Sequence, residues 1–153
     1  MKKSFIGGLE IVSFYENKEK VTSLVRQLIA CADIELACVF LHSQRAILPL
    51  LFPRAVFTFL PALDGKDEER GFSPNEEMLR FGSKKFLCLF RYEEGRIKLA
   101  KKHGESSFFG KTVVVFDGCG LPLSNYMTAR KSLLQAGAKR VVFLTLLAPG
   151  EIP

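Results

Sequence analysis

Apolar residues recur in two rhythms along this chain. Within residues 16–33 they fall at Val21, Leu24, Val25, Leu28 and Ile29. Those positions, i, i+3, i+4, i+7 and i+8, share one face of an amphipathic helix. Elsewhere the apolar residues form short blocks: GLEIVSFY at 8–15, LACVFL at 36–41, AVFTFL at 55–60, FLCLFR at 86–91, TVVVF at 112–116 and RVVFLTLL at 140–147. Blocks this short and this continuously apolar suit parallel strands covered on both faces. Residues 43–52 are predicted as a short helix opened by Ser43, and 123–136 as a helix stopped by Gly137. The polar run 61–78 is expected at the surface as a loop. Near its end Ser73 is placed to cap a helix and Pro74 to take its first position. Residues 93–111 accommodate a short strand or helix ahead of a loop. Strand and helix signals that alternate predict one α/β domain of three layers, built on a mostly parallel sheet of about five strands.

Composition is compatible with that core. The 153 residues are 48% hydrophobic and 25% charged, the balance of a globular chain. Fourteen phenylalanines and no tryptophan point to an aromatic-rich interior. The four cysteines, Cys31, Cys38, Cys88 and Cys119, form no CxxC pair, and the histidines are only His42 and His103. That pattern argues against a metal site. Three of the cysteines sit in apolar runs, where a thiol acts as a small buried hydrophobe, and a reducing cytoplasm suits them. The start, MKKSFIGGLEIVSF, is basic, but Glu10 interrupts the apolar stretch a signal peptide needs. Residues 46–63 are long enough to cross a bilayer. Pro49, Pro53, Pro61 and Arg54 break that stretch, so no transmembrane segment is expected.

Charge separates the two halves. Residues 1–76 hold 9 basic and 10 acidic side chains, and residues 77–153 hold 13 and 6, so the net +6 belongs to the second half. Arg91, Arg96, Lys98, Lys101 and Lys102 form a basic cluster with Phe90, Tyr92 and Phe108 interleaved. Cations beside aromatic residues suit single-stranded nucleic acid.

The candidate chemistry lies in VVVFDGCGLPLSNY, residues 113–126. An apolar strand ends in an aspartate, a glycine-containing turn follows, and a helix begins. With its continuation through Gly137-Ala138-Lys139-Arg140-Val141, residues 109–147 resemble a type I phosphoribosyltransferase. In that family the strand ends in two acidic residues. A loop of threonines and glycine then wraps the 5′-phosphate of phosphoribosyl pyrophosphate (PRPP), with Mg²⁺ on the pyrophosphate. SFYENKEKVTSLVRQL, and Arg70-Gly71-Phe72 followed at a distance by Asn75, resemble the ComF branch, the competence-associated proteins of bacterial DNA uptake. Its frequent N-terminal zinc finger has no counterpart here.

The resemblance implies a ligand site at Asp117, Gly118, Cys119, Gly120, Ser124 and Asn125, with Asp117 as the catalytic carboxylate if activity persists. Lys101, Lys102 and His103 are then within the stretch that could touch pyrophosphate. The departures argue for loss of turnover. Gly118 replaces the second acid, Pro122 removes an N–H, and Leu121 and Leu123 bring bulk without donors. Each charged hydrogen bond lost is worth about 1.5–3 kcal/mol. The resemblance therefore implies a degenerate member acting in DNA uptake, in the cytoplasm or at the inner face of the membrane. Its partner would be single-stranded DNA, a competence helicase or another DNA-uptake protein. The alternatives are a PRPP-dependent transferase with an unusual phosphate loop, using Mg²⁺, and a ligand-free interaction module, possible as a homodimer. On any of these, Asp117→Ala is expected to leave folding intact.

Overall fold

The computed structural model describes residues 1–15, 19–31, 35, 39, 41–61, 71–83, 85–100, 107–118 and 120–147. The chain opens with a hairpin. Strands β1 (Lys2–Ile6) and β2 (Leu9–Ser13) pair antiparallel, with Ile6 opposite Leu9. Gly7 and Gly8 join them at φ 55° and 80°, the left-handed pair that a tight two-residue hairpin turn demands. The block 8–15, expected as one strand, therefore starts in a turn and has an edge strand ahead of it.

Next come α1 (Glu19–Cys31), a 3-10 turn (His42–Gln44), α2 (Leu48–Leu51), β3 (Val56–Phe59) and α3 (Pro74–Gly82). They are followed by β4 (Phe90–Glu93), β5 (Arg96–Leu99), β6 (Thr112–Asp117), α4 (Leu123–Gln135) and β7 (Arg140–Thr145). Five strands make one sheet in the order β1-β2-β7-β6-β3. All neighbours run parallel except β1, so the sheet is mixed but mostly parallel. β4 and β5 form a separate antiparallel hairpin.

Strand alternation sorts the core into two faces. Val114 and Phe116 of β6 and Val142 and Leu144 of β7 point to one side, where Phe57, Phe59, Leu48, Met78 and Leu79 bring in β3, α2 and α3. Val113, Val115, Val141 and Phe143 point to the other, onto Tyr126, Ala129 and Leu133 of α4 and Phe90 and Ile97 of the hairpin. Both faces of the sheet are thus covered, as its unbroken apolar strands require. Helix α4 ends where the sequence places its stop. Gly137 sits at φ 95°. Ala138 N–H donates to the Leu133 carbonyl (3.0 Å) and Gly137 N–H to that of Leu134 (3.1 Å), the paired bonds of a Schellman ending.

Several expectations are corrected. Glu35, Val39 and Leu41 are helical, so the block 36–41 is not a strand where it is described. A short apolar run does not distinguish a buried strand from a buried helix segment, and Leu41 packs beneath α3 against Gly82. Residues 43–52 split, with Ser43 inside the 3-10 turn and Pro49 in the first turn of α2. In α1, Val21 packs on the core but Leu24 is exposed. The strand expected at 86–91 starts only at Phe90. Before it, Leu87 N–H donates to the Phe57 carbonyl (2.8 Å) and Leu89 N–H to Thr58 Oγ1 (3.3 Å). This run covers the outer edge of β3 without building a ladder. Cys88 within it is exposed rather than in the core. No described helix is long and apolar enough to cross a membrane. Residues 46–61 instead form α2, a turn through Pro53 and Arg54, and β3.

One ion-pair group ties the hairpin edge to the sheet. Glu10 on β2 accepts from Arg140 Nε on β7 (2.8 Å) and from Lys3 Nζ on β1 (2.6 Å). The Arg140 bond, partly opposed by burial and helped by Lys3, holds the Glu10 carboxyl below its ordinary value of 4.5. A depressed carboxylate stabilises the fold above its unfolded pKa, and that contribution is lost as pH falls through the folded value. Glu10→Gln is expected to cost about 0.5–1 kcal/mol at neutral pH, the range of a screened pair, and to flatten the stability loss below pH 4.5. Denaturant melts of both proteins across pH 3–7 measure it; parallel curves would refute it.

Candidate functional site

In sheets of this kind ligands bind outside the carboxyl ends of the strands. The buried polar side chains concentrate there. Of Ser13, Thr58, Asn75, Asp117 and Thr145, all but Thr58 lie at or against that edge. Ser13 and Thr145 share a hydrogen bond across β2 and β7 (3.1 Å). Next to them is Asp117, the last residue of β6, opposite Thr145 and only 1% exposed.

The Asp117 carboxylate is filled by its own chain. Oδ1 accepts from Asn75 Nδ2 (3.1 Å). Oδ2 accepts from the Leu121 N–H (2.7 Å) and the Tyr126 hydroxyl (2.6 Å). The Leu121 bond closes the turn on its own first residue, as aspartate side chains do in tight turns. Tyr126 reaches it from the first full turn of α4, with its ring stacked on Phe143 at 4.7 Å and 12°. A buried carboxylate needs such donors because an unpaired one costs several kcal/mol to desolvate.

Asn75 completes the arrangement. Its Nδ2 also donates to the Leu60 carbonyl (2.8 Å), and its Oδ1 accepts from the Gly118 N–H (2.8 Å). One amide at the start of α3 therefore joins the ends of β3 and β6. The helix begins as the sequence predicts, with Pro74 first and Ser73 in extended backbone. The Ser73 hydroxyl, however, makes no hydrogen bond, so the cap is one of position and not of side chain.

Three of the N–H groups of the turn are taken up by the chain itself. The Gly118 and Leu121 N–H groups are used as above, and the Asn125 N–H donates to the Pro122 carbonyl (2.9 Å). Met78 of α3 covers Gly118: a Cβ there would lie 2.5 Å from its Cε and 2.9 Å from its Sδ. Leu121 and Leu123 pack inward against the core beneath α4. Gly120 takes φ 72° to turn the chain, and Ser124 is exposed with its carbonyl accepting from the Thr128 hydroxyl. Cys119 lies outside the described residues, as do Arg70, Lys101, Lys102 and His103.

These residues do not fit Mg²⁺ and pyrophosphate. Asp117 is the one carboxylate at the turn and its oxygens already accept from three donors. Among the described residues no group of three or more His, Cys, Asp or Glu side chains is arranged to hold a metal.

The basic cluster divides. Arg91 and Lys98 sit opposite each other on the β4–β5 hairpin, and Arg96 faces Glu93. Lys98 pairs with Glu93 (3.3 Å) and Glu94 (2.7 Å), and Arg91 with Glu93 (3.4 Å). Alternation turns Phe90 and Tyr92 to the opposite face, onto the core, and Phe108 is buried. Among the described residues the interleaving seen in sequence thus places the aromatic rings and the cations of the hairpin on different faces, and builds no stacking platform there.

Sequence reasoning missed two of the four residues that fill or cover the site, which are Asn75, Leu121, Tyr126 and Met78. Tyr126 and Met78 carry no signal except their spacing on predicted helices. Asn75 carried one, standing just beyond the Arg-Gly-Phe triplet. No family model, no curated protein and no solved structure matches this chain.

Proposed function

We propose that this chain is a degenerate, non-catalytic phosphoribosyltransferase-like protein of the ComF type. In this reading it acts in bacterial DNA uptake by binding a partner protein or single-stranded DNA. The observation that carries the loss of catalysis is the Asp117 carboxylate, saturated by Asn75, Leu121 and Tyr126 where a transferase presents an open acid to ribose. The order of strand, acid, glycine turn, helix and returning strand supports the inherited scaffold, as does the meeting of Asn75 with Asp117. A partner protein is favoured at the hairpin, because Arg91 and Lys98 are paired with Glu93 and Glu94 and its aromatic rings face inward. Single-stranded DNA remains the second reading on the strength of the net +6.

Calorimetric titration with PRPP and Mg²⁺ tests the first claim. No saturable heat is expected up to millimolar ligand, and a micromolar isotherm would restore the transferase. Fluorescence anisotropy with a labelled single strand, repeated across salt, tests the second. Phosphate contacts must weaken as salt rises. If DNA is the partner, Lys101→Glu with Lys102→Glu lowers both affinity and salt slope; unchanged values remove those lysines from the interface.

A further inference from the structure

A cavity lies at the opposite end of the sheet from Asp117, where α2 turns into β3 and α3 ends. It holds about 410 Å³, within the size range of small-molecule sites. Its apolar wall is built by Pro49, Phe52 and Phe57, the two rings meeting edge to face at 6.4 Å and 81°. Arg45, Arg54 and Lys85 also line it, and no described acidic residue does. None of the three cations forms an ion pair with a described residue, which leaves their charge available to an anion in the cavity.

Arg54 adds a separate observation. Among the described residues it is one of two non-glycine positions with positive φ, at 61°. The other, Glu94, lies in a two-residue hairpin turn before Gly95 that calls for such a backbone. Holding a long side chain left-handed costs roughly 1–2 kcal/mol, and glycine would do the same turn without that cost. Strain of this kind is found where a side chain must be held over a ligand.

We propose that this cavity binds a nucleotide monophosphate unit, with the phosphate on Arg45, Arg54 and Lys85 and the flat base against Pro49, Phe52 and Phe57. Guanidinium forks match phosphate oxygens in pairs, three uncompensated cations suit a dianion, and the apolar wall suits a ring. The unit is a free nucleotide or the 5′-phosphorylated end of a single strand, which present the same chemistry. The site is independent of the turn at Asp117 and stands whichever partner the hairpin takes.

Titration of the full chain with AMP, adenosine, inorganic phosphate, and oligothymidylate with and without a 5′-phosphate tests this. AMP is expected to saturate, with adenosine and phosphate each at least about tenfold weaker, since each lacks one half of the contacts. Tighter binding of the 5′-phosphorylated strand than of AMP assigns the strand end; the reverse assigns the free nucleotide. Arg54→Gly removes the cation while easing the backbone, so it should weaken AMP about ten- to a hundredfold with no fall in thermal midpoint. Lys85→Gln should act likewise on affinity. The proposal is overturned if neither AMP nor the phosphorylated strand saturates at millimolar concentration, or if both variants bind as the parent does.

Discussion

Asp117→Ala is expected to destabilise the protein by about 3 kcal/mol or more. The substitution leaves Asn75 Nδ2, the Leu121 N–H and the Tyr126 hydroxyl facing a site that was 1% exposed. Each buried donor stripped of its acceptor costs about 1–3 kcal/mol, with some recovery if water enters. For a chain of this size 1 kcal/mol moves the thermal midpoint by roughly 2–4 °C, so a fall near 10 °C should be seen. Tyr126→Phe, which removes a single hydroxyl and keeps the stacked ring, should cost only about 1–2 kcal/mol. The expectation from sequence, that Asp117→Ala leaves folding intact, treats the carboxylate as a ligand group facing solvent. Equilibrium denaturation separates the two views. An open acid held for a ligand can be removed at little cost, or even with a gain in stability, and such a result would reopen the site.

Met78→Ala should be nearly as damaging, and its dependence on Gly118 gives the second test. Met78 is fully buried and lies over Gly118 at the contact of α3 with the end of β6. Truncation removes its transfer free energy and leaves a cavity, together about 2–5 kcal/mol. Gly118→Ala alone should also destabilise, because its Cβ would come within 2.5 Å of Met78 Cε. Overpacking of this sort costs about 1–3 kcal/mol. In the Met78→Ala background most of that cost should disappear: the new methyl occupies space the thioether left, and its nearest remaining contact is Phe116 Cζ at 3.1 Å. Gly118 carries no positive φ that would penalise alanine independently. A double-mutant cycle reads the coupling directly. Additive costs would mean that Met78 does not close the turn, and a gain in PRPP affinity on opening it would mean that the donors beneath are still available.

Much of the architecture was legible because it is written in local signals. β6 is apolar from Val113 to Phe116 and β7 from Val141 to Leu144, so their double coverage follows from composition alone. Pro74 and Gly137 bound their helices by backbone chemistry that needs no partner. The failures share a different cause. LACVFL at 36–41 is as apolar as a strand, yet its described residues are helical, because what decides is the surface of α3 it meets. FLCLFR lies along β3 but lacks a ladder, since pairing belongs to two strands and not to one. β1 was missed although Gly7-Gly8 is a hairpin signal, because only one of the two flanking runs looks like a core strand: β1 lies at the edge with Phe5 exposed.

By itself the chain determined an α/β order, the ends of its helices and the presence of an acid at the close of a buried strand. It also made plain that the turn after that acid was poor in donors. Tertiary structure alone decided what the acid does, by bringing Asn75 from 42 residues away onto Asp117 Oδ1 and Tyr126 onto Oδ2. It likewise turned the hairpin's rings inward and its cations outward, and gathered Arg45, Arg54 and Lys85 around one cavity. The physical reason is common to all three. Periodicity and capping depend on neighbours within a few residues, whereas the state of a buried charge depends on which donors the packed chain delivers to it.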